Sequence, residues 1–406
     1  MDRKAPSVLN IAVIVGALGY FVDIYDLLLF SIIRIPSLRS LGLDAAQAGT
    51  IGRQILNIQM LGLLIGGIIW GVLADKKGRL NVLYASIILY SLGNIANGFV
   101  QNVSQYELVR FISGLGLAGE LGAGITLVSE ILPKEKRGIG TSLVAGIGLT
   151  GAVFAFFIKE HFYWRTCYFI GGGLGFLLLL LRIGVLESGM FQGVARMNVS
   201  KGNFLMLFNN PTRFRKYLVA ILIGLPTWYV IGILISFSDD FARAMHVRGA
   251  IDPAKSVMCA YVAISVGDVA AGLVSQALKS RKNAVWLYYA ITLGGLFLFF
   301  NLEGRSPTAL YIAAAVLGFG TGFWAIFVTM AAEQFGTNIR ATVATTVPNM
   351  VRGSLNLVSL LFNALLASVG YLKSGWITGI VVMVIGAVSL IFTQETYHKD
   401  LNYVER

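Results

Sequence analysis

The sequence predicts an all-α polytopic membrane protein, with twelve transmembrane helices in two six-helix pseudo-repeats. Its 406 residues are 56% hydrophobic and only 13% charged, whereas soluble domains carry about 25% charged residues. Too little polar surface is present to cover a globule, so lipid must solvate much of the chain. The second observation is that apolar runs of about 20 residues, enough to cross a bilayer, recur along the chain. The third is an internal repeat, described below.

Twelve apolar runs define the predicted helices. In the first half they lie near 9–33, 50–72, 81–100, 107–129, 139–160 and 165–186. In the second half they lie near 215–238, 256–279, 283–301, 308–332, 341–367 and 373–394. The longest polar connection, 187–214, predicts a cytoplasmic linker between an N-terminal half (1–186) and a C-terminal half (215–406).

Charge patterning predicts the topology. The net charge of +12 could indicate nucleic-acid binding, but in a polytopic protein bases collect in cytoplasmic loops, so we expect no nucleic-acid partner. The majority of bases fall on the side that holds both termini, which predicts cytoplasmic termini. The apolar run after Lys4 is too long for a signal peptide, so it is interpreted as the first span. Three scattered histidines and two cysteines in or near apolar spans predict no metal, cofactor or disulfide.

The two halves repeat short polar motifs. Glu130 and Arg137, after helix 4, recur as Glu333 and Arg340 after helix 10, an offset of 203 residues in both cases. The loop from Gly71 to Leu80 between helices 2 and 3 has a decayed copy at 272–282. These matches predict a parallel internal repeat, an architecture in which the ligand site lies at the midplane between the halves.

The loop Gly71-Val72-Leu73-Ala74-Asp75-Lys76-Lys77-Gly78-Arg79-Leu80 resembles the G-x-L-A-D-[RK]-x-G-R-[RK] loop of the major facilitator superfamily. Leu80 departs from that pattern, since the family usually has a base there. The resemblance covers essentially the whole chain. It implies a membrane transporter whose halves rock about a central site.

Three further sequence features indicate which branch of the superfamily the chain resembles. Gly119-Glu120 with Gly122 in helix 4 looks like the G-G-E-W-G string of metabolite:proton and sialate/lactate-type symporters, although Ala118 and Leu121 differ. Asp23-Ile24-Tyr25-Asp26 in helix 1 is similar to the W-Y-D-F or G-Y-D string of the same branch and of sugar porters. Helix 5 lacks the Gly-Pro of drug:proton antiporters, which argues against efflux.

Charges inside the predicted spans are functional candidates, because each costs about 2.5–3.5 kcal/mol at the bilayer centre. The candidates for proton coupling are Asp23, Asp26, Glu120 and Asp268. The alternative is that these carboxylates are ion-pair partners of Arg110 or Arg352. In this superfamily Arg110 is expected to be structural and to act through helix 1.

A candidate substrate site follows from Arg352, near the middle of helix 11. An arginine keeps its proton in a protein, so it needs a lasting counter-anion, supplied by a carboxylate of the protein or by a carried substrate. Organic anion transporters, which the chain resembles in layout, have an arginine in helix 11 that serves anions. The other candidate substrate-binding residues are Asn349, Asn356, Gln54, Asn57, Tyr25, Trp228, Tyr229 and Trp324. Of these, Gln54 and Asn57, together with Arg53 of the same helix, are expected to line the outer cavity. Plain packing is the alternative for the aromatic ones.

Six charges at matching helix ends predict a cytoplasmic gate. They are Asp75, Arg79, Glu130, Arg137, Glu333 and Arg340. We expect Asp75 to meet the N-terminus of helix 11 near Ala341, where free backbone N–H groups favour an anion.

The resemblance implies a secondary active transporter, a monomer in a bacterial inner membrane that takes up a small organic metabolite, expected to be a carboxylate, with protons. One alternative is a facilitator or symporter for a neutral solute such as a sugar, which the mid-membrane Arg352 fits less well. Another is a polytopic enzyme or sensor, but the sequence offers neither a nucleophile–base pair nor a phosphate loop.

Overall fold

The computed structural model describes residues 11–182 and 201–405, and within these ranges all regular structure is helical. The predicted fold class is confirmed. Residues 187–200 of the predicted linker lie outside the described residues. Residues 201–210 of that linker contain a 3₁₀ turn, Phe204–Leu207.

Twelve membrane segments, α1 to α12, follow one another along the chain. The first six are α1 Ile11–Ser40, α2 Ala45–Lys77, α3 Arg79–Asn97, α4 Val103–Leu117 with Glu120–Ile131, α5 Lys134–Leu149 with Gly151–His161, and α6 Trp164–Leu181. The last six are α7 Pro211–Tyr229 with a π turn at Val230–Ile235, α8 Pro253–Leu278, α9 Arg281–Phe300, α10 Pro307–Gly320 with Trp324–Glu333, α11 Arg340–Gly353 with Leu355–Val369, and α12 Tyr371–Phe392.

Eleven of these described segments are long and apolar enough to cross a membrane, and α3, with 19 residues, is the twelfth segment. The predicted helices agree in number and order, and several of them are shorter than the observed ones. For example, α1 runs to Ser40 and α2 begins at Ala45. Hydropathy marks the part of a helix that lies in hydrocarbon, whereas the helix continues to its caps. Asp44, for instance, accepts a hydrogen bond from the Gln47 N–H in a capping box.

Several helices are interrupted near their middle. The α4 pieces meet at Ala118-Gly119, the α10 pieces at Thr321-Gly322-Phe323, and the α11 pieces at Ser354. Glycine favours such breaks because it lowers the cost of leaving the helix. In α7 the π turn follows Pro226, whose ring removes one backbone donor from the ladder. Interrupted helices leave backbone groups and side chains free to line an internal site.

Small residues bring the two halves together where α2 and α4 meet α11. A Cβ atom on Gly122 would overlap the backbone of Thr345, and one on Gly71 would press on Thr342. In the N-terminal half, a Cβ on Gly62 would overlap the Phe111 carbonyl of α4. Close backbone approach of this kind is how helices associate in lipid, because the hydrophobic effect does not drive apolar helices together there.

The bundle has two ends. The basic end holds the α2–α3 connection at Gly78, whose φ of 103° requires glycine, together with residues 201–210 and the C-terminal segment. The far end holds the α1–α2 connection and the short helix Ser238–Ala244 that follows α7.

Candidate functional site

A small enclosed space, the central chamber, lies between the two halves. Its polar and aromatic walls are Tyr20, Thr227, Trp228, Tyr261, Thr321, Trp324 and Arg352. The π turn of α7 and the breaks of α10 and α11 all border it. Its volume is about 20 Å³, room for about one water. A substrate can enter only if these walls move apart.

Arg352 is the cation of the central chamber. It is 1% exposed, and the rings of Trp228 and Trp324 lie 5.9 and 5.8 Å from its Cζ atom. Its Nη1 donates to Asn349 Oδ1 at 3.0 Å, while its Nε has no hydrogen-bond partner. Among the described residues no carboxylate lies within ion-pair distance of it. The guanidinium is therefore buried without a bonded counter-anion, an arrangement that is costly unless an anion arrives.

Asp23 of α1 is the acid that is attracted to Arg352 without forming an ion pair with it. It is fully buried, and neither carboxylate oxygen has a hydrogen-bond partner. Its strongest electrostatic attraction is to Arg352. Tyr20, one turn earlier on the same helix face, lines the chamber. Asp23 and Arg352 are thus a buried acid and a buried base that attract each other without pairing.

Asp26 and Glu120 are both paired. Arg110 Nη1 donates to Asp26 Oδ1 at 3.0 Å, and Arg110 Nε donates to Gln59 at 3.3 Å. Glu120 pairs with Arg182 at the end of α6, with one contact, Nη1 to Oε2, at 3.3 Å. Arg110 is therefore the partner of Asp26, one of the two arginines that the sequence left possible. The partner of Glu120 was not anticipated, although Arg182 ends an apolar run and could have been flagged for that reason.

Asp268 holds the second piece of α10 in position. Its Oδ1 accepts the Ala325 N–H at 3.0 Å, and its Oδ2 has no partner. The carboxylate therefore caps a helix whose first residue is the chamber residue Trp324. Tyr261 lies seven residues earlier on the same face of α8 and was missed by sequence reasoning, although that spacing could have found it.

Asn349 of α11 links the central chamber to the N-terminal half by a hydrogen bond. Its Nδ2 donates to the Ala118 carbonyl at the α4 break and to the Thr345 carbonyl, both at 2.8 Å, while its Oδ1 accepts from Arg352. With these bonds its side chain holds the guanidinium in place.

Five other predicted substrate residues lie outside the chamber lining. Tyr25 donates to the Cys167 carbonyl at 2.7 Å, and Tyr229 donates to the Gly375 carbonyl at 2.5 Å. Gln54 and Asn57 instead line a separate cavity of about 430 Å³, the outer crevice, between α2, α7 and α11 on the far-end side. Asn356 borders neither cavity, and its amide donates to the Gly353 carbonyl at 3.1 Å.

Four predicted gate residues form one buried cluster, the basic-end network of Asp75, Arg79, Glu130 and Arg340. Arg79 Nη2 lies 3.0 Å from Glu130 and 3.3 Å from Asp75. Arg340, from the other half, lies 3.4 Å from the same Glu130 oxygen.

Asp75 also crosses between the halves. It accepts the N–H groups of Ala341 at 3.3 Å and Thr342 at 2.7 Å, and the Thr342 hydroxyl at 2.7 Å. The expected contact with the α11 N-terminus is confirmed.

The other two predicted gate residues bond within their own halves. Glu333 accepts two bonds from Arg281, both at 2.7 Å, and Arg137 donates to the Ser129 carbonyl at 2.7 Å. The Arg281–Glu333 pair is the repeat counterpart of the Arg79–Glu130 pair. Within the described residues, no group of His, Cys, Asp and Glu could hold a metal ion.

At the far end a cluster of charged groups and one ring joins the two halves. This cluster, the outer clamp, consists of Arg34, Arg53, Phe237, Asp239 and Asp240. Arg34 lies 3.6 Å from Asp239, and Arg53 lies 3.5 Å from Asp240. The Phe237 ring lies between the two arginines, 4.6 and 5.6 Å from their Cζ atoms. Burial raises the pKa of Asp239 above its ordinary value, although Arg34 opposes that shift.

Comparisons with known proteins agree with this architecture. Residues 16–354 match the sequence model of the Major Facilitator Superfamily. The niacin transporter NiaP of Acinetobacter baylyi is 25% identical, over 96% of this chain and 95% of its own. A probable 4-methylmuconolactone transporter of Cupriavidus pinatubonensis is 27% identical over 80% and 76%. The solved proton:xylose symporter XylE is 17% identical, with a TM-score of 0.75 over 97% of both chains.

Proposed function

Because the chain belongs to the Major Facilitator Superfamily and is therefore a membrane transporter rather than an enzyme, we propose that it carries a small aromatic carboxylate together with a proton. One observation supports this proposal above the others: Arg352 is buried without a bonded counter-anion, between two indole rings. A carboxylate can accept two parallel bonds from a guanidinium. A planar ring attached to it would pack on Trp228 and Trp324.

The relatives' substrates fit this chemistry. Niacin, which one relative transports by its description, is a pyridine carboxylic acid, and its anion has the planar ring and the carboxylate that the chamber residues would recognise. The neutral-solute alternative lacks a group to compensate Arg352. We therefore rank it second.

Asp23 is our assignment for the proton. In the empty chamber the charges of Arg352 and an ionised Asp23 cancel. When a monovalent carboxylate and one proton are bound, they cancel again, because Asp23 is then neutral. Binding of either ligand alone leaves a net charge in a buried site, and such a charge is costly. Only the empty and the doubly loaded forms are then expected to reorient, which is symport.

The pairs Asp26–Arg110 and Glu120–Arg182 carry no net charge and are assigned a structural role. The basic end is proposed to face the cytoplasm, with both termini on that side, in a bacterial inner membrane. We propose that the monomer is the working unit, since the chamber lies within one chain.

Uptake into proteoliposomes tests the substrate assignment. Arg352→Lys keeps the charge but loses the planar fork, so uptake of labelled nicotinate should fall by at least about tenfold, with folding unchanged on size-exclusion chromatography. Asn356→Ala, on the same helix but outside both cavities, is the matched control. Uptake near that of the wild type in Arg352→Ala would exclude the assignment.

The proton assignment has a separate test. Asp23→Asn mimics the protonated acid, so it should abolish accumulation against a gradient while nicotinate counterflow persists. In the wild type an inward-acid gradient should drive uptake, whereas a membrane potential alone should not, because the proposed cargo is neutral overall. Accumulation that survives in Asp23→Asn, or wild-type uptake that ignores pH, would contradict the assignment.

A further inference from the structure

The outer crevice has the size of a ligand site. Its volume of about 430 Å³ lies in the usual range of about 300–1,000 Å³ for small-molecule sites. Gly232 and Ile233 of the α7 π turn form its inner wall, whereas the preceding residue, Ile231, faces the central chamber. Leu355 packs directly against Gly232. The two spaces are therefore separated by one turn of irregular helix, and π turns are frequent at functional sites.

Polar groups without protein partners line this crevice. The amides of Gln54, Asn57 and Asn363 make no side-chain hydrogen bond to any described residue and are partly or fully exposed to the crevice. The rings of Phe237 and Tyr371 form apolar walls beside them. A few free polar groups among aromatic walls are the usual composition of a site for a small amphipathic molecule.

Arg53 is the cation of the crevice, and it is held loosely. Its side chain is 43% exposed and lies 3.5 Å from Asp240. Asp240 is also bonded closely by Arg243, so it would keep a partner if Arg53 turned away. An exposed ion pair of this kind is worth about 0–1 kcal/mol. An incoming carboxylate could therefore compete for Arg53 at little cost.

The rim of the far end carries excess positive charge. Four arginines line the crevice and the neighbouring rim cavity against two aspartates, an excess of two charges: Arg34, Arg39, Arg53 and Arg243 against Asp239 and Asp240. A concave surface with one dominant sign of charge concentrates ions of the opposite sign.

We propose that the outer crevice is a second binding site for the carboxylate substrate, which it occupies before the wall to the central chamber opens. Arg53 binds the carboxylate in exchange for Asp240, and the free amides bind polar substituents of the ring. This inference rests on the proposed function, since it takes the same class of substrate. It adds a recruitment site that operates while the central chamber is closed.

Cysteine protection tests the second site without relying on transport. Asn363→Cys, in a Cys167→Ser/Cys259→Ser background, places a reactive thiol in the crevice. Purified protein in nanodiscs is labelled with a maleimide in the presence and absence of nicotinate. At ten times the dissociation constant about a tenth of the sites stay empty, so labelling should slow about tenfold. Ser368→Cys, on the same helix but outside the crevice, should show no protection.

Further variants separate the two sites. Protection at Asn363→Cys should persist when Arg352→Gln disables the central chamber and should vanish with Arg53→Gln. Arg39→Gln is the matched control, because it removes a rim arginine but leaves Arg53 and the Arg243–Asp240 pair in place, and protection should remain.

Two failures are distinguishable. Nicotinate transport with no protection at Asn363→Cys, or protection lost with Arg352→Gln but kept with Arg53→Gln, would overturn the second site alone. If the wild type does not transport nicotinate and nicotinate does not protect Asn363→Cys, the proposed function is overturned as well.

Discussion

The basic end and the far end both join the two halves with charged groups, but they differ in how well those charges are compensated. At the basic end, Glu130 is shared by Arg79 and Arg340, and Asp75 accepts three bonds from the start of α11. At the far end the interhalf ion pairs are 3.6 and 3.5 Å long, and Arg53 is 43% exposed.

This difference indicates which end opens more easily. Removing one partner from a buried ion pair costs about 3–5 kcal/mol, whereas an exposed pair contributes about 0–1 kcal/mol. The structure is closed at both ends around the central chamber. At the far end the Arg53–Asp240 pair is partly exposed, and only the Arg34–Asp239 pair, 3.6 Å long, is largely buried. The far end is therefore the weaker closure, and opening toward the outer crevice should require less free energy than opening toward the basic end.

Two pairs of spin labels would measure this difference in nanodiscs by double electron–electron resonance. Lys77→Cys with Ala277→Cys reports the basic end, and Ser40→Cys with Ser368→Cys reports the far end. All four positions are exposed, and the native cysteines are replaced by serine.

The largest effect is expected at Glu130. Glu130→Gln removes the charge shared by Arg79 and Arg340, which would leave two buried arginines undercompensated. The population open at the basic end should rise by about 100-fold, equivalent to about 3 kcal/mol. The basic-end label distance should lengthen accordingly.

Glu333→Gln is the matched control for this change. Glu333 is as deeply buried, but both of its hydrogen-bonded contacts come from Arg281 of the same half, so its loss should shift the basic-end distance much less. Equal shifts in the two variants would mean that general destabilisation, and not loss of an interhalf contact, opens this end.

A smaller effect is expected at Asp75. Asp75→Asn keeps one acceptor oxygen but loses the charge that favours the α11 N-terminus. With a loss of about 1–2 kcal/mol, the basic-end-open population should rise by about tenfold and turnover should fall. Nicotinate affinity should change less. If affinity fell while the label distances stayed constant, Asp75 would serve the substrate site and not the gate.

The fold could be predicted from the sequence because apolar length and loop charge determine it directly. Twelve runs gave twelve helices, and the motif at Gly71–Leu80 indicated the family. The helix interruptions were harder to predict. A break at Gly119 or Gly322 follows from what the neighbouring helices offer to free backbone groups, and hydropathy carries no such information. The early start of α2 likewise depends on one capping side chain, Asp44.

The candidate site could be predicted only in part. The sequence identified Asp23 and Arg352 as costly charges, but it could not tell which charges are paired, since Arg110 and Arg182 select their partners through tertiary packing. It expected Gln54 and Asn57 to line an outer cavity, but it could not show that the α7 π turn separates that cavity from Arg352. A π turn leaves no clear periodicity in a uniformly apolar helix.

The smallest effect concerns pH at the far end. Burial raises the pKa of Asp239 in the closed clamp, against the attraction of Arg34, whereas an open clamp would expose the carboxyl and return its pKa to about 4. The closed form then binds the proton more tightly. Closure is thus favoured at low pH and weakens as pH rises through the raised pKa. Arg34, Asp240, Arg243, Arg53 and Tyr371 are the charged or titratable groups that act around this carboxyl or its partners.

Acidification should therefore close the far end, which would couple protons on that side of the membrane to the step that encloses the substrate. Between pH 8 and pH 5 the far-end label distance should shorten, with a population change of a few fold, about 1 kcal/mol or less. In Asp239→Asn that pH dependence should disappear, while Asp44→Asn, a capping residue on the neighbouring loop, should retain it. A far end that opens on acidification would mean that attraction between Arg34 and Asp239 outweighs burial. The far end would then resemble the basic end more closely than its longer ion pairs indicate.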